Sequence, residues 1–430
     1  MSNKMIILGA GVAGIGAARA CEQNNIEYKI IEQSSKIGGL CGNFVINGFL
    51  FDKFIHFSFS NDENFNADIL NDTCYKKHLP VSYNFYKNLW LEHPLQDHLF
   101  YLPLKEKLQI IKDFLIRSRN KKITNYKDWL TYQFGDYFTE HFPAIYTRKY
   151  WGVEASEMST DWIGKRVHCP SFKQVLKGAV FNTKENYYYA KEMRYPKNGG
   201  FLNFFTKKID TSKISFNKKV VKIDIDNKVV SYSDGTSECF NFLYSSIPLP
   251  EYLDIIDNLP VNIIESIKKL SWTQGYMVSV GFKNIIKTKG LWNYIYDEDI
   301  LASRIYYPHL KSPNNVPKGK SSLQAEIFYK NGIFKDEKEV LNNTIDSICK
   351  MNLCKKEDIE FNDIRHQNYA NIIFTPVTQN NKKIVIDYLK KHNIIPIGRF
   401  GKWEYFWSDQ AYMDGLKSIM ESYKKGYLNE

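Results

Sequence analysis

The sequence predicts an α/β fold in which a central parallel sheet is assembled from separated stretches of the chain. A helical insertion and a domain with an antiparallel sheet complete the predicted architecture. Three observations support this prediction. The chain opens with a strand, a glycine-rich turn, a helix and a second strand; apolar residues at helical spacing follow over 104–135; and short alternating or apolar strands recur after residue 215.

Composition narrows the class of protein. The 430 residues are 43% hydrophobic and 24% charged, as in globular proteins, and no stretch of 18 apolar residues predicts a transmembrane helix. Glycines interrupt the first apolar run too early for a signal peptide, so a cytoplasmic location is expected. The seven cysteines are scattered without a Cys-x-x-Cys pair, which predicts neither a disulfide framework nor a metal site.

The net charge of +11 is spread along the chain. Nucleic-acid-binding proteins usually cluster their basic residues, so this class is not predicted. A diffuse positive field instead favours a small anionic substrate.

The first 32 residues have the pattern of a dinucleotide-binding βαβ unit. Gly9, Gly11 and Gly14 form a Gly-x-Gly-x-x-Gly turn between a strand over 4–8 and a helix over 15–21. Such a turn lets the backbone approach a diphosphate at the start of the helix. Glu32 ends the next strand and is placed to accept both hydroxyls of a ribose, where it would repel a 2′-phosphate. A Rossmann-like domain is therefore predicted, with cofactor contacts from Gly9, Gly11, Ala13, Gly14, Glu32 and Gln33.

The nucleotide domain is predicted to be discontinuous, because strand patterns return to it twice. The predicted boundaries are 1–75 for its first part, 76–190 for a mainly helical substrate or cap domain, 191–250 for its second part, 251–365 for an antiparallel-sheet substrate domain and 366–430 for its third part.

The residues after Glu32 resemble those of FAD enzymes. The segment from Gly38-Gly39 to His56 resembles the flavin-contacting segment of the family that contains protoporphyrinogen oxidase and UDP-galactopyranose mutase. The resemblance implies non-covalent FAD, contacts from Gly39 and Leu40, and a position for His56 beside the flavin. A structural histidine bonded to the backbone is the alternative for His56.

The middle and end of the chain resemble the mutase branch of this family. The matching stretches are 145–152, 159–166, 303–305 and 398–405. The resemblance implies substrate contacts from Trp151, Arg166, Arg194, Arg304, Trp403 and Tyr405, catalytic roles for His56, Arg304 and Arg399, and further cofactor contacts from Val221, Arg399, Asp409 and Gln410.

Several of these residues have a structural alternative. Trp151 and Trp403 could be core aromatics, Arg304 a surface charge, and Asp409 the N-cap of the last helix.

One position departs from the mutase pattern. The mutase holds its substrate diphosphate between two arginines, and Pro170 stands where the first is expected. A desolvated diphosphate needs paired cations, so Arg166, Lys173 or Arg194 would have to substitute.

The resemblance implies an FAD-dependent oxidoreductase that acts on a sugar nucleotide or related phosphorylated carbohydrate, in bacterial surface-polysaccharide biosynthesis. An isomerase like the mutase, in which reduced flavin acts as a nucleophile during ring contraction, is the alternative, and a non-catalytic flavin-binding subunit is a further one. The lysine-rich stretch 104–122 is predicted to be a packed helix with a solvated basic face, in preference to a helix at a membrane surface. The sequence leaves the oligomeric state open.

Overall fold

The computed structural model describes residues 5–117, 122–164, 166–184, 187 and 190–424. Its strands are β1 Met5–Leu8, β2 Lys29–Ile31, β3 Asn43–Ile46, β4 Phe49–Asp52, β5 Tyr75–His78, β6 Ser82–Tyr86, β7 Leu89–Glu92, β8 Met193–Pro196, β9 Ile214–Ser215, β10 Val220–Asp224, β11 Val229–Tyr232, β12 Ser237–Cys239, β13 Phe242–Ser245, β14 Ser271–Phe282, β15 Trp292–Ile295, β16 Arg304–Tyr306, β17 Ser321–Lys330, β18 Ile359–Ile373 and β19 Ile394–Pro396. Its helices are α1 Val12–Gln23, α2 Glu63–Leu70, α3 Leu104–Ile116, α4 Tyr126–Phe134, α5 Asp136–His141, α6 Pro143–Trp151, α7 Phe172–Val180, α8 Tyr252–Ile255, α9 Val261–Lys268, α10 Pro308–Lys311, α11 Glu337–Lys350, α12 Thr378–Lys391, α13 Gly398–Gly401 and α14 Ser408–Lys424.

A parallel sheet forms the nucleotide-binding half of the molecule. Its strand order is β19-β13-β1-β2-β9, and each pairing between its neighbours is parallel. All four residues of β1 are buried, as expected for a strand covered on both faces. Strands from three distant parts of the chain meet here, which confirms the predicted discontinuous parallel sheet.

The second large sheet has the order β18-β14-β17-β16-β15-β6-β7. Its three long strands, the edge strand β18 and its neighbours β14 and β17, pair antiparallel, as predicted, whereas β15 pairs parallel to β6. A second apolar core lies against this sheet and includes Val278 of β14, Leu323 of β17 and Ile348 of α11. The cavity described below is bordered by residues of both sheets.

The segment 76–190, predicted to be mainly helical, also contributes strands to this second sheet. β6 and β7 form a hairpin whose turn residues Lys87 and Asn88 have positive φ angles of 48° and 61°. Turns of this kind match the twist of paired strands and so favour a tight hairpin. Residues 82–92 are thus strands within the segment predicted to be mainly helical, and the domain boundaries stay predictions.

Helix α3 differs from its prediction in length and in its exposed face. It ends at Ile116, and Arg119 and Lys121 of the predicted stretch lie outside the described residues, as do Met1–Lys4 and Lys165. Its buried side consists of Ile110 and Phe114, but leucines as well as lysines face solvent. Across the described ranges, no helix is both long enough and apolar enough to traverse a bilayer.

Candidate active site

One cavity with a volume of about 1300 Å³ extends from the glycine turn after β1 to aromatic side chains of the helical insertion and the second sheet. The predicted site residues that line it are Gly9, Gly11, Ala13, Glu32, Gln33, Gly39, Leu40, His56, Trp151, Arg166, Arg304, Arg399 and Tyr405. The fold thus brings predicted cofactor and substrate residues, up to 396 positions apart in sequence, into the wall of a continuous space.

The glycine turn is closely packed. Gly9 has a φ of +96°, and a Cβ there would lie 2.2 Å from Ser246 Oγ. A Cβ on Gly14 would lie 1.9 Å from the Gly9 carbonyl oxygen, so Gly14 permits close contact between α1 and the turn but does not itself line the cavity. Helix α1 begins after Gly11, with its first N–H groups near the cavity.

The glycine turn and Glu32 fit a bound dinucleotide. A Cβ on Gly39 would lie 3.2 Å from Gly11 Cα, and Gly39 has a φ of +54°, so glycine at position 39 keeps the two backbone segments close without strain. Glu32 Oε2 accepts a hydrogen bond from the Ala10 N–H at 2.7 Å, and Oε1 accepts from the N–H and hydroxyl of Ser34 at 2.8 and 2.7 Å. Three of the four acceptor sites of the carboxylate are thus occupied, one remains on Oε2, and Glu32 lines the cavity. The residues present therefore fit FAD, with Glu32 able to accept from a ribose hydroxyl.

His56 lies in the wall of the cavity as a neutral imidazole. Its Nδ1 lies 3.0 Å from the Phe54 carbonyl oxygen, and its ring stacks on Phe201 with centroids 5.1 Å apart. Burial lowers the pKa of His56 to about 4. Because a carbonyl only accepts, Nδ1 is the protonated nitrogen and Nε2 carries the lone pair. His56 thus bonds to the backbone and also lines the cavity, and its position beside a flavin stays a prediction.

A fully buried ion pair holds the segment that leads to His56. Asp52 Oδ2 accepts hydrogen bonds from Lys311 Nζ at 2.5 Å and from the Tyr195 hydroxyl at 2.8 Å. Asp52 Oδ1 accepts from the Phe201 N–H at 3.0 Å. Burial lowers the pKa of Lys311, and Asp52 opposes that shift. This network fixes both the strand β4 before His56 and the ring on which His56 stacks.

Arg304 forms a buried ion pair with Glu326, which the sequence analysis did not single out. The two residues face each other in the register of β16 and β17, with Arg304 Nη2 2.5 Å and Nε 2.6 Å from Glu326 Oε2. Glu326 is fully buried, and its Oε1 accepts from the Ile55 N–H at 3.2 Å. Burial opposes the charge of Arg304, but the Glu326 carboxylate raises the pKa of the guanidinium. A surface role for Arg304 is therefore wrong, and the sequence signal for its partner was weak, because the strand of Glu326 also carries Ser321, Ser322 and Gln324.

Arg399 and Arg166 carry positive charge into the cavity. Arg399 donates to the Phe406 carbonyl and to Asn371 Oδ1, both at 3.0 Å. Arg166 donates to the carbonyls of Tyr405 at 2.7 Å and Trp162 at 2.9 Å. The two guanidinium groups lie 4.7 and 4.8 Å from the Tyr405 ring centroid. Since no carboxylate is among these contacts of Arg399, its charge makes this part of the wall favourable for an anion.

Trp151 belongs both to the core and to the cavity wall. It is 5% exposed and packs against Tyr150 and Trp162, each with centroids 4.7 Å away. Further aromatic residues of the wall were not predicted: Tyr146, Tyr150, Tyr294, Tyr296 and Phe328. Tyr146 and Tyr150 lie in α6, four residues apart on the same helix face, and this spacing was the available signal.

Two predicted substrate residues lie elsewhere. Trp403 is fully buried and packs against Trp272 and Phe400, so its prediction as a substrate contact was wrong. Arg194 does not line the cavity either, because its Nε binds Glu192 at 2.8 Å and its Nη1 donates to the Ser60 carbonyl at 3.2 Å.

The residues predicted as cofactor contacts in β10 and α14 do not line the cavity, whereas residues next to them do. Val221 is 43% exposed, and its neighbour Val220 lines the cavity instead. The last helix begins at Ser408, so Asp409 lies within its first turn and is not the N-cap. Asp409 and Gln410 do not line the cavity, whereas Ser408 and Ala411 do, because successive helical residues point in different directions.

The region of Pro170 presents a histidine to the cavity. Lys173, a candidate substitute for the missing arginine, is exposed on α7 and does not line the cavity. His168 does line it, with Nε2 3.1 Å from Oδ2 of the buried Asp97. Across the described ranges, no cluster of histidine, cysteine or acidic side chains is arranged to hold a metal ion.

Comparisons with known proteins support this description of the fold. Residues 7–72 match a family model described as an NAD(P)-binding Rossmann-like domain. The crystal structure of a reduced UDP-galactopyranose mutase superposes with a TM-score of 0.92 at 21% identity, covering 100% of this chain and 97% of that chain. A protein from Exiguobacterium sp. 255-15, named provisionally as a protoporphyrinogen oxidase, gives 0.76 at 12% identity with 99% of each chain covered. A putrescine oxidase variant gives 0.67 at 12% identity, again over 99% of each chain.

These matches extend over nearly the whole of each chain. The resemblance stated from the sequence is therefore confirmed for the fold. The chain contains a Rossmann-like dinucleotide-binding domain and has the overall fold of UDP-galactopyranose mutase and of the protoporphyrinogen oxidase-like proteins.

Proposed function

We propose that this protein is an FAD-dependent oxidoreductase that acts on a sugar nucleotide or a related phosphorylated carbohydrate. The observation that supports it is the continuous cavity, which joins the glycine turn and Glu32 to His56 and to the arginines of the far wall. A cofactor and an anionic substrate could thus occupy one space in contact with each other.

Non-covalent FAD would be held by the glycine turn and Glu32, and when bound it would supply a hydride acceptor. His56 Nε2 would accept the proton of a substrate hydroxyl, since burial keeps the ring neutral at pH 7. Arg399 would bind the anionic group of the substrate, because its partners Phe406 and Asn371 are neutral, and Arg166 would assist it from the same wall of the cavity. Arg304, whose charge is already neutralised by Glu326, would orient the substrate.

The test is anaerobic reduction of the bound flavin by a panel of nucleotide sugars, followed by its absorbance. Bleaching by one member of the panel is the expected result. His56→Gln should slow that bleaching by about 10²–10⁴-fold, the usual contribution of a proton-transfer residue.

His78→Gln is the matched control, because His78 is also partly buried and bonded to a carbonyl but does not line the cavity. Equal rates for the two variants would contradict the role proposed for His56. A flavin that no sugar nucleotide reduces would contradict the oxidoreductase.

An isomerase is the second candidate, and the superposition on UDP-galactopyranose mutase over the whole chain supports it. Activity that requires prior reduction of the flavin, without net electron transfer, would establish this alternative. Protein that is colourless as purified and does not take up FAD would instead favour a non-catalytic subunit.

A further inference from the structure

Helices α3 and α7 of the helical insertion expose an apolar surface to solvent. Leu104, Leu108 and Leu115 of α3 are 68%, 58% and 59% exposed. The apolar members of this surface, called here the α3–α7 face, are Leu104, Leu108, Leu115, Ile116, Leu176, Val180 and Phe181. Together they expose on the order of several hundred Å² of apolar area, more than isolated surface residues explain.

The two helices lie side by side. The rings of Phe114 and Phe172 lie 6.3 Å apart beneath the surface, and Lys107 Nζ donates to the Ala179 carbonyl at 3.2 Å. Each helix buries one stripe of residues. The exposed leucines of α3 recur on the opposite side at spacings of four and seven, and Leu176 and Val180 of α7 at a spacing of four. The apolar side chains therefore form a surface shared by α3 and α7.

The exposed charges of this face are cations. Lys105 and Lys112 of α3 and Lys173 of α7 are exposed, and none of the three forms an ion pair with a carboxylate among the described residues. The acids of α3 have other partners. Glu106 accepts from Lys87 Nζ at 3.0 Å, and Asp113 accepts from the Tyr137 N–H at 2.9 Å.

We propose that the α3–α7 face binds the surface of a membrane that contains anionic phospholipid. Leucines and a phenylalanine bordered by lysines suit the boundary between acyl chains and negative headgroups, where the apolar side chains leave water and the ammonium groups remain at headgroup level. A soluble protein partner would need an acidic and apolar patch of matching shape, whereas a bilayer supplies both features without shape complementarity. This proposal is independent of the proposed reaction.

Co-sedimentation of the purified full-length chain with phospholipid vesicles tests the proposal. The protein should pellet with vesicles of phosphatidylcholine and phosphatidylglycerol, less with phosphatidylcholine alone, and less as NaCl is raised. The triple variant Leu104→Ser, Leu108→Ser and Leu115→Ser should bind at least about tenfold more weakly, because apolar burial is lost.

A matched control replaces exposed apolar residues elsewhere. Val261→Ser, Ile285→Ser and Phe334→Ser, at positions 71%, 74% and 85% exposed, should leave vesicle binding unchanged.

Reversing the charge of selected lysines distinguishes an effect of the α3–α7 face from an effect of the net charge of the protein. Lys105→Glu, Lys112→Glu and Lys173→Glu together should weaken binding by roughly 100-fold, since each cation near an anionic surface contributes about a factor of five. The exposed lysines Lys318, Lys338 and Lys391 provide the control set with the same change in net charge, and their reversal should have a smaller effect.

Two results would overturn the proposal. The first is a parent protein that stays in the supernatant with anionic vesicles, or whose face and control variants bind alike. The second is a dimer that the leucine variant dissociates, seen by light scattering, without vesicle binding. That result would assign the face to a second copy of the chain.

Discussion

The buried pair between Arg304 and Glu326 allows a quantitative prediction. Glu326 is fully buried and Arg304 side-chain exposure is 19%, so removal of the arginine leaves a carboxylate without its counter-charge. Breaking a buried pair from one side costs about 3–5 kcal/mol, so Arg304→Ala should lower the free energy of unfolding by about 4 kcal/mol. Glu326→Gln keeps an acceptor for the Ile55 N–H and should cost less, about 2 kcal/mol.

The double variant should be more stable than the sum of these effects implies. With neither charge present, the double variant Arg304→Ala/Glu326→Gln should lose about 3 kcal/mol of unfolding free energy. The two single losses add to about 6 kcal/mol, so the coupling energy is about 3 kcal/mol. Urea denaturation followed by tryptophan fluorescence, with protein of equal FAD content, measures all four states. Lys320 and Glu360 form the control pair on the surface, with side chains 33% and 26% exposed, and their coupling should stay below about 1 kcal/mol.

Additive effects at Arg304 and Glu326, or a coupling no larger than that of the surface pair, would refute the reasoning. The same set of single and double variants also serves to measure substrate binding. Arg304→Ala alone removes the proposed substrate contact and leaves Glu326 without its counter-charge. The loss of ligand affinity, expected to be about 2–5 kcal/mol, should therefore be measured in the double variant as well.

Three further predictions concern the cofactor and pH. Glu32→Ala should weaken FAD binding to the apoprotein by about 1.5–3 kcal/mol in a fluorescence titration, and unchanged affinity would exclude Glu32 as the ribose partner. Gly14→Ala should lower both FAD content and the thermal midpoint because its Cβ would lie 1.9 Å from the Gly9 carbonyl oxygen, whereas Gly319→Ala, with open space around it, should lower the midpoint less and keep FAD. The pKa of His56 is about 4 in the folded chain against 6.5 for a free histidine, so the unfolded state binds more protons as pH falls from 6.5 to 4, and the free energy of unfolding should fall by up to about 3 kcal/mol over that range. His56→Gln should flatten this part of the pH profile of urea denaturation, and an equally steep profile would contradict the burial of a neutral imidazole.

Local features of the site could be predicted from the sequence. The turn of Gly9, Gly11 and Gly14 needs glycine because backbone atoms approach within a side chain's width, and this requirement is visible in residues a few positions apart. The position of Glu32 follows from the length of one βαβ unit in the same way. The resemblance to the mutase over 398–405 likewise implied Arg399 and Tyr405 as site residues, and both line the cavity.

Long-range packing decided the rest. Arg166 donates to the carbonyl of Tyr405, 239 residues away, and no local pattern specifies that contact. Trp403 and Tyr405 lie two positions apart, yet one is fully buried and the other lines the cavity, because tertiary contacts on each side differ.

The sequence by itself determined the glycine turn, the acid at the end of the second strand and the fold class, since these depend on neighbouring residues and on periodicity. Only the tertiary structure decided that Arg304 is matched by Glu326 and that the leucines of α3 remain in water. Cross-strand register and helix packing set both outcomes, and each depends on which distant residues the folded chain brings into contact.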